Sequence, residues 1–170
     1  GKENVVFIDG NAAGDPATCA TICNGFVADG VDMILANATP SLQAAAAATT
    51  TIPVLGTSVT EYGVALNIEN FNGLTGTNIS GTSDLAPLDE QAQMILDILP
   101  DVKTVGILYS SSEANSVYQV KVVKDYLESK GVTVIEFAFS DSNDIYLVTT
   151  QAIEQSDAIY VPTDNKAASC

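Results

Sequence analysis

One stretch, Thr104 to Ser116, restricts the folds open to this chain more than any other. Val105, Ile107 and Leu108, with Gly106 among them, form a short apolar run bounded by polar residues, the pattern of a strand buried on both faces. After Tyr109 come Ser110, Ser111, Ser112, Glu113, Ala114, Asn115 and Ser116, and then Val117, Val120, Val123 and Leu127 at helical spacing. Strand, polar loop and helix N-terminus in that order is the repeating unit of an open parallel α/β sheet. In such sheets ligands bind beyond the carboxyl ends of the strands, where free N–H groups and the helix dipole favour an anionic group. The loop is therefore a candidate binding surface, although the same hydroxyls and amide can serve only to cap the helix.

The unit recurs. Val5–Ile8 reads as a strand, and Asp15 before Pro16 starts a helix expected to reach Ala28 and to end at Asp29 and Gly30. Asp32–Ala36 reads as the next strand. Thr39 follows as a helix cap, with Pro40 at the first helical position and an alanine-rich helix to Ala48. Ile52–Gly56 is a short strand with Pro53 near its entry, and Thr57–Thr60 is a polar loop at its carboxyl end. From Glu61 to Asp84 the periodicity dissolves into Gly, Asn and Thr, which reads as a connection. Leu88, Ala92, Ile95, Leu96 and Leu99 then define an amphipathic helix stopping at Pro100. Thr133–Phe139 is a strand, Ile145, Val148, Ala152 and Ile153 mark a helix, and Ala158–Val161 is a strand ending in Pro162–Asn165. Alternating β and α elements require right-handed crossovers and parallel sheets. Four polar loops, two on each side of a flexible connection, describe a cleft between two lobes that closes on a small ligand. One continuous sheet carrying an insertion is the competing arrangement.

Composition removes several functions. The 170 residues carry six Lys/Arg, all of them lysines, against 21 Asp/Glu, for a formal charge of −15. That charge repels phosphate backbones, so no nucleic-acid partner is expected. Without arginine, any anion must be held by backbone, hydroxyls or lysine. Without histidine there is no Ser-His or Cys-His pair and no imidazole metal ligand. No cofactor is expected. Cys19 and Cys23 share a helix stripe with Ile22, Phe26 and Val27, as small buried hydrophobes or as an incomplete metal pair.

Several motifs together resemble one family. They are Gly14–Thr18, Phe26–Asp29, Asp32–Ala36 with Ala38, Thr39 and Pro40, and Ser83–Leu85. Leu99–Lys103, Tyr109 with Glu113–Ser116, and Asp157–Asn165 complete the set. In order and spacing these are similar to the ABC-transporter substrate-binding proteins whose studied members bind aromatic amino acids. The resemblance runs along nearly the whole chain. It implies a type I periplasmic-binding-protein fold, two flavodoxin-like lobes closing on a ligand, with each lobe incomplete here. Relative to that family the chain is expected to be truncated at both ends: residues 1–81 form lobe one without its first strand and helix, 82–170 form the first half of lobe two, and 72–84 form the hinge. In a 2-1-3-4-5 strand order the missing first strand would leave an internal gap, so self-association of the truncated chain is expected.

The resemblance also implies a solute receptor for an amino acid, aromatic favoured, delivering to an ABC permease. Its place would be the extracellular face of the cell envelope, lipid-anchored, or the periplasm. Thr39, Asn115 and Ser116 would hold the ligand α-carboxylate and Asp164 its ammonium. Thr57, Thr60, Ser83, Asp84, Glu113 and Asn165 would complete the ligand-binding surface, with Tyr109 stacking on an aromatic ligand or packing in the core. The family's third loop often has Asp-Pro after threonine, where this chain has Thr60, Glu61 and Tyr62. Two alternatives stand beside the receptor: an enzyme using Asp9 or Asp164 as a catalytic carboxylate, and the ligand-sensing domain of a regulator. No nucleophile–base pair or phosphate-cradling glycine loop supports the enzyme.

Overall fold

A computed structural model, which describes residues 4–170, builds the recurring unit into two three-stranded parallel sheets. The first contains β1 (Ile34–Asn37), β2 (Val54–Val59) and β3 (Ile79–Ser83) in the order β1-β2-β3, with α1 (Pro16–Asp29), α2 (Thr39–Ala48) and α3 (Tyr62–Leu66). The second contains β4 (Thr104–Ser110), β5 (Thr133–Phe139) and β6 (Ala158–Tyr160) in the order β5-β4-β6. With it go α4 (Leu88–Ile98), α5 (Ala114–Ser129), α6 (Ile145–Gln155) and α7 (Asn165–Ala168). This is the two-lobed α/β architecture the sequence implies, and α3 of the first lobe packs against α5 of the second.

Local chemistry sets the element ends. Asp15 caps α1, its Oδ1 accepting from the Thr18 amide at 2.7 Å and hydroxyl at 2.6 Å, and Pro16 supplies the preset first turn. Gly30 ends α1 in the left-handed conformation, φ 67°, which costs a glycine nothing. In lobe two, β4 is buried over nearly its whole length, as a central strand must be. Val105, Ile107 and Tyr109 pack under α4 and α5 with Leu88, Ala92, Val120, Val123 and Leu127, while Leu108 faces α6 with Phe137, Phe139 and Ala152. In lobe one, Ile34, Ala36, Val54 and Val59 pack with Leu42, Ala45, Tyr62 and Ala65. The opposite face of that sheet is bare: Leu35 and Leu55 are exposed.

Tyr62 reaches over the first sheet because two glycines make room for it. A Cβ on Gly56 or on Gly81 would collide with the Tyr62 hydroxyl, and one on Gly81 would also strike the Gly56 carbonyl oxygen. The hydroxyl donates to the Thr82 carbonyl at 3.3 Å.

Four expectations are corrected. Val5–Ile8 is not a strand, and its side chains stand exposed. A strand needs a partner for its backbone groups, and among the described residues none pairs with this run. The stretch Glu61–Asp84 is more than a connection, because it contains α3 and β3, whose Val54 to Ile79 and Leu55 to Ser80 pairing supplies order that local composition hides. Passage between the sheets falls between Ser83 and Leu88. Thr57 lies inside β2, which runs on to Val59. Thr39 does not cap α2: Ala38 does, at φ 77°, with Thr39 as the first helical residue and no side-chain cap bond.

Candidate functional site

The loops after β4 and β6 are joined by buried polar side chains. Glu113 is the N-cap residue of α5 but makes no side-chain cap bond, and its Oε1 accepts from the Lys166 amide at 2.7 Å. Its Oε2 accepts from the Asn165 side chain at 2.7 Å and the Asn165 amide at 3.1 Å. Asp164 does the reverse across the same junction. Its Oδ2 accepts from the Ser110 amide at the end of β4 at 2.7 Å, and its Oδ1 caps α7 through the Ala167 amide at 2.8 Å. With residue exposures of 7% and 4%, both carboxylates are withdrawn from water and satisfied by amides.

Gln119, which the sequence reading did not single out, completes the junction. Its Nε2 donates to the Thr163 carbonyl at 3.0 Å, and its Oε1 accepts from the Thr163 amide at 3.1 Å, a two-point clamp on one residue's backbone. The signal was present: Gln119 lies on the inward stripe of α5 with Ser116, Val120 and Val123, where a polar residue must find partners. Lys166, counted from the sequence only as a cation, reaches the Ser140 carbonyl at 2.9 Å and the Ser112 hydroxyl at 3.3 Å. Its charge also helps hold Asp15 of lobe one below the usual carboxylate range, after the larger effect of the hydroxyl and amide of Thr18.

Asn115 differs from these residues. It is 3% exposed, and its Nδ2 donates to the Thr163 carbonyl at 3.0 Å and to Glu113 at 3.3 Å, which fixes the amide's orientation. Its Oδ1 is buried with no hydrogen-bond partner. An orphaned buried acceptor costs about 1–3 kcal/mol, so it marks a place where a donor is missing. Ser116 sits beside it in the first turn of α5, fully buried.

In lobe one, Thr39 is buried at the start of α2. Thr60 is buried, its carbonyl accepting from the Ser83 hydroxyl at 2.8 Å, and Asp84 is exposed with its amide on the Val59 carbonyl at 3.0 Å. Glu61 caps α3 through the Gly63 and Val64 amides at 3.1 and 2.6 Å. A cavity of about 480 Å³ is walled mainly by lobe one, by the segment from Gly10 to Gly14, by α1, by β1 and by the β1–α2 loop, with Asn165 and Ser169 of lobe two at its border. Thr39, Asn115, Ser116, Asp164 and Asn165 lie at or just beyond the carboxyl ends of strands, and of them Asn165 alone borders this cavity. Tyr109 instead turns inward: its ring packs in the lobe-two core, and its hydroxyl donates to Glu136 at 2.8 Å. Burial and that bond push the Tyr109 pKa up to about 12. Among the described residues no group of three metal-ligating side chains occurs.

Two incomplete flavodoxin-like lobes with polar loops at their strand ends define a periplasmic-binding-protein architecture of type I. Residues 1–170 match the family described as ABC transporter substrate binding protein, and the chain belongs to that family. It is 36% identical over 166 residues to the tyrosine-binding protein of Clostridioides difficile, covering 96% of this chain and 47% of that protein. A structure from Streptococcus pneumonia, an ABC domain in complex with L-Trp, superposes with a TM-score of 0.90 at 40% identity, covering 99% of this chain and 58% of that one. A ligand-free, open structure of a Clostridium difficile substrate-binding protein gives a TM-score of 0.60 at 38% identity, covering 98% and 56% of the two chains. The chain therefore spans about half the length of these relatives, which are substrate-binding proteins rather than enzymes.

Proposed function

We propose that this chain is part of the solute-binding component of an ABC importer, capturing an amino acid, with aromatic side chains favoured, between its two lobes. The observation that carries this reading is the buried, partnerless Oδ1 of Asn115 beside Ser116 at the head of α5. A ligand ammonium or N–H would supply the missing donor there, while the free amides of the helix start and the Ser116 hydroxyl suit its carboxylate. Two relatives support the ligand class, one named for tyrosine and one in complex with L-Trp. The higher similarity to the L-Trp complex than to the open, ligand-free relative supports closure around the ligand, the two identities being nearly equal. In this reading Thr39 contributes from lobe one, and Asn165 reaches from lobe two to the border of the cavity beside β1. Glu113 and Asp164 act as positioning residues that hold the loops. Tyr109 supports the floor from the core, and the loaded protein docks on a membrane permease. The site of action is the outer face of the cell envelope, through a lipid anchor, or the periplasm.

Isothermal titration with L-Trp, L-Tyr, other amino acids, a nucleoside and a sugar tests the reading. Heat with aromatic amino acids and no chemical turnover is expected. Heat only with the nucleoside or the sugar, or product formation, refutes it.

A further inference from the structure

The chain contains two Asn-Gly pairs, Asn24–Gly25 and Asn72–Gly73, and the fold sets them in different backbones. Both asparagines are exposed, and neither glycine has a neighbour within 4 Å of where a Cβ would stand, so water access and crowding do not separate them. Hydrogen bonding does. Asn24 and Gly25 lie inside α1, where the helical ladder occupies the Gly25 amide and holds Asn24 in helical geometry. Asn72 and Gly73 lie in the segment between α3 and β3, and among the described residues the Gly73 amide donates to no acceptor. Gly73 takes φ 91°, a conformation that glycine adopts freely and other residues resist. The Asn72 side chain folds forward over this amide, its Oδ1 accepting from the Leu74 amide at 3.2 Å. The carboxamide carbon is thereby held beside a backbone nitrogen with no other partner.

We propose that Asn72–Gly73 is a site of self-modification in the folded protein, converting to an aspartyl or isoaspartyl linkage through a cyclic imide. The Gly73 nitrogen attacks Asn72 Cγ and passes its proton to water, and the new C–N bond closes the ring. Negative charge collects on Oδ1, where the Leu74 N–H already donates, and the tetrahedral adduct collapses by expelling the side-chain nitrogen as ammonia. Water then adds to one of the two ring carbonyls and breaks its bond to the Gly73 nitrogen. Addition at the former side-chain carbonyl leaves aspartate, and addition at the main-chain carbonyl leaves isoaspartate. One water is consumed and one ammonia released. Each conversion adds a negative charge to the −15 of the chain, and the isoaspartyl form also lengthens the main chain by a methylene. The change falls just before the segment is tied to β3, where the Thr75 hydroxyl donates to the Ile79 carbonyl at 2.5 Å.

Peptide mapping by mass spectrometry of the folded 170-residue chain, held in mildly alkaline buffer and sampled over days to weeks, follows both pairs in one sample. The Asn72 peptide is expected to gain the mass of an amide-to-acid exchange and to split into aspartyl and isoaspartyl forms. The second form should accept methyl groups from a protein isoaspartate methyltransferase, while the Asn24 peptide stays unchanged. In urea, where α1 is lost, both pairs should react at similar rates. Asn72→Gln, whose longer side chain must close a larger ring, should abolish the split in a chain that still folds. An Asn72 peptide that stays intact, one that reacts no faster than the Asn24 peptide, a difference that persists in urea, or aspartate formed without isoaspartate overturns the proposal.

Discussion

Replacing Asp164 with alanine separates a loop-holding carboxylate from one that only meets a ligand. The substitution strips two amides of their acceptor: Ser110, on the central strand β4 and fully buried, and Ala167, in the short α7. An orphaned buried amide costs about 1–3 kcal/mol, and loss of a helix cap about 1 kcal/mol. Ser110 sits at the upper end of that range because no water reaches it, and Ala167 at the lower end because a terminal turn can open. The sum is about 4 kcal/mol. For a chain of this size each kcal/mol moves the melting temperature by about 2–4 °C, so a fall of roughly 8–16 °C is expected without any ligand present. Asp164→Asn keeps one carbonyl acceptor and should lose about half as much. Thermal melts and urea titrations at constant m-value measure both. An Asp164→Ala protein that melts within a degree of the parent would refute the loop-holding role and return Asp164 to the ammonium role read from the sequence.

Asn115→Ala should weaken titration heats for an aromatic amino acid by about tenfold, while the lost bond to the Thr163 carbonyl costs about 1 kcal/mol of stability. Tyr109 carries a pKa raised to about 12, so its neutral form is the one the folded state favours. Its contribution is complete below the unfolded tyrosine value near 10 and is lost as pH rises from about 10 to 12. The difference between parent and Tyr109→Phe melts should shrink over that window, and a difference independent of pH would contradict the assignment. Gly56→Ala should be destabilising chiefly through the Tyr62 hydroxyl, so adding Tyr62→Phe should recover part of the loss in a double-mutant cycle. Gly81→Ala should not be rescued in this way, because its Cβ also meets the Gly56 backbone.

The amino-acid sequence carries the alternation of elements and the place of the polar loops. Asp15 before Pro16, the run Val105 to Leu108 and the stripe Val120, Val123, Leu127 are local signals of cap, buried strand and helix face, and local physics suffices to read them. It also placed Asn115, Ser116 and Asp164 at strand ends. What it could not read depends on partners distant in the chain. β3 exists because Val54, Leu55 and Gly56 offer a ladder to a stretch whose own composition reads as loop. Val5–Ile8, with strong strand propensity, pairs with no strand among the described residues. The roles within the site divide in the same way. Residue type marked Glu113, Asp164 and Asn115 as polar groups near a cleft, but only the tertiary structure gave the two carboxylates to backbone amides and left the Asn115 oxygen without a donor. A side chain's type fixes what it can bond. Which partner reaches it first is settled by how the strands and helices pack.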